Sequence, residues 1–222
     1  MNMLRWLPFI AGVFPLIAMF GAYALGAAYE VLPNCNPLID GCCSISATGR
    51  QPPGSFLFRA IMLPQGILLG FVWYLSVLWL RKLEPIPSNA TCLIILVAGI
   101  INVVALILYV TFLGTTEPIY EFLRRTGIYF GFVGMAVAQL TIAVALLRTG
   151  LKPIAQAMLS ISLVVFALGL LNLALKSVLA DPDPAENRIE WIATILMQAW
   201  FFLLFVAWWR TGADFSVRVG PA

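Results

Sequence analysis

Histidine is absent from the 222 residues, and only 10% of them are charged. Without an imidazole there is no histidine base to activate a serine or cysteine nucleophile, and no histidine-ligated metal centre. The four cysteines do not form a thiolate quartet on one side of the membrane arrangement derived below, so no metal and no cofactor are expected. No Gly-x-Ser-x-Gly elbow, His-Glu-x-x-His pair or phosphate-cradling glycine loop occurs. A soluble domain carries about 25% charged residues, so the scarcity of charge argues against a water-facing fold and gives no reason to expect a nucleic-acid partner.

What fills the chain instead is apolar: 62% of residues are hydrophobic and the mean hydropathy is +0.97. A helix crossing a hydrocarbon layer about 30 Å thick needs roughly 20 such residues. Six stretches reach that length, at about 6–29, 57–80, 90–113, 126–147, 153–180 and 189–209. "RKLEPIPSN", "GTTEP", "LRTGLKP" and "DPDPAENR" separate the later ones. The expected fold is all-α: one membrane domain over 1–222, a six-helix transmembrane bundle with a structured loop, 30–56, between helices 1 and 2. "MNMLR" has the basic character of a signal-peptide start, but the apolar run behind it is too long, and it reads as a retained helix.

Orientation follows from lysine and arginine in alternate connections. With both termini cytoplasmic, the inner side holds Arg5, Arg81, Lys82, Arg148, Lys152, Arg210 and Arg218, against Arg50, Arg59, Arg124, Arg125, Lys176 and Arg188 outside. Trp6, Trp79, Trp208 and Trp209 would then form an inner interfacial belt, with Tyr29, Tyr120 and Trp191 at the outer face. This places Cys35, Cys42 and Cys43 in an outer loop where oxidation is permitted, and a bridge from Cys35 to Cys42 or Cys43 would pin it.

Two motifs carry a resemblance. "SISATGRQPPGSFLFR", 44–59, resembles the Ile-Ser-x-Thr-Gly-x-x-Pro-Pro signature that follows the first helix of the DRAM/Frag/Sfk family of six-span membrane proteins, and "EWIATILMQAWFFLLFVAWWRTGADF", 190–215, is similar to that family's last helix. The family includes autophagy modulators, proteins tied to plasma-membrane lipid organisation and the Golgi factor that remodels the lipid of GPI anchors. The resemblance therefore implies a lipid-associated role. Ala47 and Gly54 stand where many members carry acids, and the family's common histidine near the fourth helix is missing, so chemistry by those groups is excluded here.

Ionisable groups near a bilayer surface are expensive and mark candidate sites. Glu30, Arg59, Glu121, Arg124, Lys176 and Glu190 all fall at the outer ends of spans. Glu190 either favours the positive end of its own helix, worth up to about 1 kcal/mol, or pairs with Arg59 or Lys176 in a headgroup site beside Trp191. Lys176 either snorkels outward or meets a phosphate. Ser46 and Thr48 either make turns or serve acyl transfer. Gln65, Asn102, Gln139, Asn172 and Gln198 are expected to hydrogen-bond between helices, Gly127 and Gly131 to pack them closely, and Pro8, Pro15 and Pro64 to kink them. The loop is read as a lid over a lipid-binding cleft. The rival readings are a lipid acyl-chain remodelling enzyme and a scaffold for a membrane-protein partner; a transporter is less favoured, for want of an internal repeat or a midplane charge.

Overall fold

The computed structural model describes residues 3–215; Arg218, counted above, lies outside them. A 3-10 turn, Met3–Trp6, leads into α1 (Leu7–Ala28). The single turn α2 (Ile45–Thr48) sits inside the first connection, followed by α3 (Gly54–Leu80), α4 (Asn89–Thr111), α5 (Pro118–Leu146), α6 (Lys152–Val178) and α7 (Asp183–Arg210). Six of these helices are long and apolar enough to cross a membrane, and the chain is a multi-pass membrane protein. Because six crossings bring the chain back to its starting side, one end of the bundle carries the 29–53 loop and the other carries Met3 and Phe215, the first and last described residues. These are called the loop end and the terminal end.

Two helices start earlier than hydropathy suggests, α5 at Pro118 rather than near 126 and α7 at Asp183 rather than near 189. Each opens with a proline in its first turn and acids there too, Glu121 in α5 and Asp183 and Glu186 in α7. Those residues suit a helix N-terminus and do not suit hydrocarbon, so each helix continues beyond the apolar stretch. Pro8 likewise falls in the first turn of α1, while Pro15 and Pro64 are inside helices.

The six long helices stand in a ring, in the order α1, α3, α4, α5, α6, α7 and back to α1. Helix association in lipid rests on close packing rather than on the hydrophobic effect, and the tightest seam is between α4 and α5. There Gly127 lies against the Ala105 carbonyl and the Tyr109 backbone, and Gly134 against Ala98 and Asn102. A Cβ at either would sit within 2.8 Å of backbone, whereas one at Gly131 would meet nothing closer than 3.7 Å. The working pair is thus 127 and 134, two turns apart, rather than 127 and 131.

Packing is loosest along α6. Its four buried residues, Ile154, Ala155, Met158 and Ser162, all lie in its first three turns, and its loop-end half buries none.

Aromatic residues that looked interfacial are mostly internal. Trp79 and Trp208 are buried against each other at 6.1 Å, and Trp73 packs on Trp200 and Phe201 across the ring. Only Trp6 and Trp209 of the proposed inner belt are exposed, and Trp191 is fully buried, leaving Tyr29 and Tyr120 exposed at the loop end. At the terminal end Arg5 Nη2 donates to the Gly212 carbonyl at 2.8 Å and Trp79 Nε1 to Thr211 Oγ1 at 2.9 Å, tying the turn before α1 and the end of α3 to the end of α7.

Candidate functional site

The loop is ordered by contacts from α1, which precedes it, and from α7, the last helix of the ring. A disulfide joins Cys35 to Cys42, and Cys43 is free and buried. Tyr23 of α1 reaches up so that its hydroxyl donates to the Cys35 carbonyl at 2.5 Å and accepts from the Cys35 N–H at 2.9 Å. From α7, Asn187 Nδ2 donates to the Gly41 carbonyl at 2.8 Å and Trp191 Nε1 to the Cys43 carbonyl at 2.9 Å. Gly41 has φ +65°, and a Cβ there would lie 2.0 Å from the Pro184 carbonyl oxygen, so glycine is required by conformation and by space. Burial first, and the Glu190 carboxylate second, push the Cys43 thiol pKa up.

Glu190 completes this clamp. A four-residue helix has free N–H groups at its start, and those of α2 are all used: Ser44 Oγ accepts from the Ala47 N–H at 3.1 Å, and the Glu190 carboxylate takes the N–H groups of Ile45 and Ser46. Glu190 lies two turns inside α7, whose first turn holds Asp183 and Glu186 instead. The helix start it stabilises is therefore that of α2, not its own. The two motifs that carried the family resemblance meet at this point.

The expected pairing of Glu190 with Arg59 or Lys176 does not occur. Lys176 Nζ pairs with Glu186 Oε1 at 2.6 Å, one turn before Glu190, because the sharp α6–α7 connection sets that register. Arg59 instead donates through Nη2 to the Leu113 carbonyl, just beyond the C-terminus of α4. Its Nε is buried with no hydrogen-bond partner.

Arg124 of α5 behaves similarly. Its side chain is 15% exposed, its Nη2 lies 3.6 Å from Glu121 Oε1, and its Nε is buried without a partner. Glu121 is closer to Arg125 and is shared between the two. Arg59 and Arg124 thus belong to α3 and α5, the helices on either side of α4, and Arg59 reaches the backbone just past the end of α4. Phe58 packs edge-on against Tyr109 at 6.4 Å and forms the apolar floor with Leu113 and Trp191.

Other residues singled out in the sequence fall outside this grouping or hold it in shape. Glu30 is exposed at the end of α1 with φ +60°. The buried Thr48 donates to the Ile45 carbonyl at 2.7 Å. Ser46 Oγ is 3.0 Å from Ser44 Oγ and accepts from Arg50 Nη2 at 3.1 Å, so neither hydroxyl is bonded to Glu190. Gln65 donates to the Ala11 carbonyl, and Asn102 joins the Gly131 carbonyl to Trp73 Nε1, as interhelical bonds should. Gln198 bonds only within its own helix, and Gln139 Nε2 and Asn172 Oδ1 are buried without partners.

Tyr23, Arg50, Tyr109 and Asn187 belong to the site although sequence reading passed over them. Tyr23 stands five residues before the end of α1 and Tyr109 two before the end of α4, where a lone tyrosine in an apolar run points to a polar partner for its hydroxyl. No family model, curated protein or solved structure matches the chain.

Proposed function

We propose that the protein binds and handles membrane lipid at its loop end, as a relative of the DRAM/Frag/Sfk proteins whose motifs it resembles. The headgroup sits beneath the loop among Arg59, Arg124, Tyr109 and Glu190. The acyl chains leave along the loosely packed loop-end half of α6. One observation carries this reading: Arg59 of α3 and Arg124 of α5, on the two helices that pack against α4, each keep a buried Nε without a hydrogen-bond partner near the loop end. A buried N–H donor without an acceptor costs about 1–3 kcal/mol, and an arginine is paired far more often than not. A lipid phosphate would supply both acceptors. The same reading puts the loop end at the outer leaflet and both termini in the cytoplasm, following the distribution of lysine and arginine. Gentle extraction followed by native mass spectrometry tests it: a stoichiometric lipid adduct supports the reading, and a spectrum free of lipid sinks it.

A membrane-protein partner is a second reading, favoured by α6. Ser160, Val164, Ala167, Leu171 and Ala174 are all exposed on one face at alternating spacings of four and three, with small residues every seventh position. Such a stripe suits a neighbouring helix. Cysteine at position 167 should then cross-link to the partner in native membranes; a monomer after oxidation counts against it.

A further inference from the structure

The α4–α5 seam follows a seven-residue repeat, with Gly127 against Ala105 and Gly134 against Ala98, and its next step towards the terminal end falls on Thr141 and Thr91. No glycine stands there to let the backbones touch, and both threonines line a cavity of about 430 Å³ instead. The α3–α4 connection supplies a further wall through Leu83, Ile86 and Ser88, and the end of α5 adds Leu140, Val144 and Arg148.

The polar groups of this cavity are one-sided. Thr141 and Thr149 turn their hydroxyl protons back onto the Val137 and Leu146 carbonyls. Ser88 Oγ accepts from the Thr91 N–H and lies 2.9 Å from Thr91 Oγ1; that hydroxyl pair uses one proton for its own bond, so the second is left to donate. Arg148 is exposed and, among the described residues, makes no hydrogen bond or ion pair. The cavity therefore offers donors and a positive charge. An ammonium headgroup would need a carboxylate or an aromatic ring, and the described lining residues include neither; Glu84, the acid of the same connection, is exposed and is not one of them.

Depth fits an amphiphile. Arg148 lies just past the end of α5, and Leu140 is eight residues before it, about 12 Å along the axis, against about 15 Å for one leaflet of hydrocarbon. The apolar walls thus run through most of a leaflet, with the cation at its polar edge. Arg81 and Lys152, both exposed, stand at the same end of the bundle. On the orientation proposed above this is the cytoplasmic leaflet, whose anionic lipids are drawn to such cations.

We infer that this cavity is a second lipid site, at the opposite face of the membrane from the loop. It takes one acyl chain of a net-anionic phospholipid between α4 and α5, with the phosphate on Arg148 and the Ser88–Thr91 hydroxyl pair. It is built from other residues and does not depend on the loop-end reading.

Phosphatidylglycerol and phosphatidylcholine, each with a photoactivatable group on one acyl chain, are the probes. The protein is reconstituted with each in turn, irradiated, and the labelled peptides are mapped. Labelling within 80–91 and 140–149 should be about five-fold stronger from phosphatidylglycerol, the worth of one cation near a membrane surface. Arg148→Gln should bring the two lipids to parity there. Val144→Phe, which fills the cavity, should lower labelling from both. Both side chains are exposed, so the fold tolerates the changes, and labelling of the exposed face of α6 should stay constant as the internal reference. Equal labelling of these segments by the two lipids in the wild type overturns the anionic headgroup, and labelling no stronger than on α6 overturns the cavity as a site. Either result leaves a lipid at the loop end standing. Displacement of phosphatidylglycerol by an equal concentration of oleate would make the occupant a carboxylate amphiphile and overturn the phospholipid assignment.

Discussion

Tyr23 and Trp191 meet edge to face with ring centroids 6.1 Å apart, and each holds one side of the same small loop, Tyr23 at Cys35 and Trp191 at Cys43, next to the bridged Cys42. The first and last helices of the ring therefore grip the loop together, through polar tips on apolar bodies. A covalent bridge and two aromatic donors, the half-buried Tyr23 and the buried Trp191, converge on fewer than ten residues of chain. The loop is a fixed part of the bundle.

The cystine assignment is open to direct measurement. Mass mapping without reduction should find Cys35 joined to Cys42, with Cys43 and Cys92 unmodified. Replacing Cys42 by Ser should lower stability by about 2–4 kcal/mol, in the range of natural bridges. Cys43 should alkylate slowly at neutral pH in the folded protein, since its raised pKa keeps it as the thiol. A bridge to Cys43 would refute the assignment.

Glu190→Gln separates two roles for that residue. If the carboxylate served only its own helix, the change would be nearly silent. Holding the N–H groups of Ile45 and Ser46, it should instead release α2 at a cost of about 1–3 kcal/mol, typical of hydrogen bonds to a charged group. Amide exchange in the 42–48 segment should then rise while exchange in α4 and α5 stays constant. Unchanged exchange at 42–48 would show that the clamp does not depend on the charge.

The glycines of α5 make a three-way comparison. Alanine at 127 or 134 pushes a methyl group into the backbone of α4 and should cost about 1–3 kcal/mol. Alanine at 131 meets only an ordinary contact and should be neutral or slightly stabilising, since glycine is the poorer helix former. Melting curves in detergent that rank 131 with the other two would contradict the seam described here.

Topology can be read from glycosylation. Asn89 opens α4 at the terminal end and is the acceptor of an Asn-Ala-Thr sequon. In a eukaryotic cell it should remain bare, and a sequon inserted beside the exposed Ile39 should be modified. The reverse pattern would place the loop in the cytoplasm.

Hydropathy alone made the six spans legible, because membrane thickness imposes a length that composition satisfies or fails. Helix ends were less legible, since α5 and α7 run past the hydrocarbon on polar residues such as Pro118 and Asp183. The site was legible only in part. Arg59, Arg124, Glu190 and Trp191 stood out because charge and motif mark them, but their partners did not. The free N–H groups that engage Glu190 exist only once α2 has formed. The Leu113 carbonyl that receives Arg59 is backbone and has no sequence signature. Lys176 met Glu186 rather than Glu190 because the pairing depends on the register across a connection, which hydropathy does not fix to within one turn. Trp79 and Trp208 looked interfacial by position and turned inward, since a ring of six helices has a wide interior to fill.

The order of helices around that ring bears on how the protein is made. Each long helix packs beside the next one in the chain, so α1, α3, α4, α5, α6 and α7 can dock one after another as they leave the translocon, without waiting for a distant segment. The exception is the contact of α7 with α1, which closes the circle. The loop's grip from α7, through Asn187, Glu190 and Trp191, is complete only at that final step. Until the last helix is inserted the loop lacks half of its grip, so a chain stalled after α6 should insert normally and still leave the 35–48 segment unclamped.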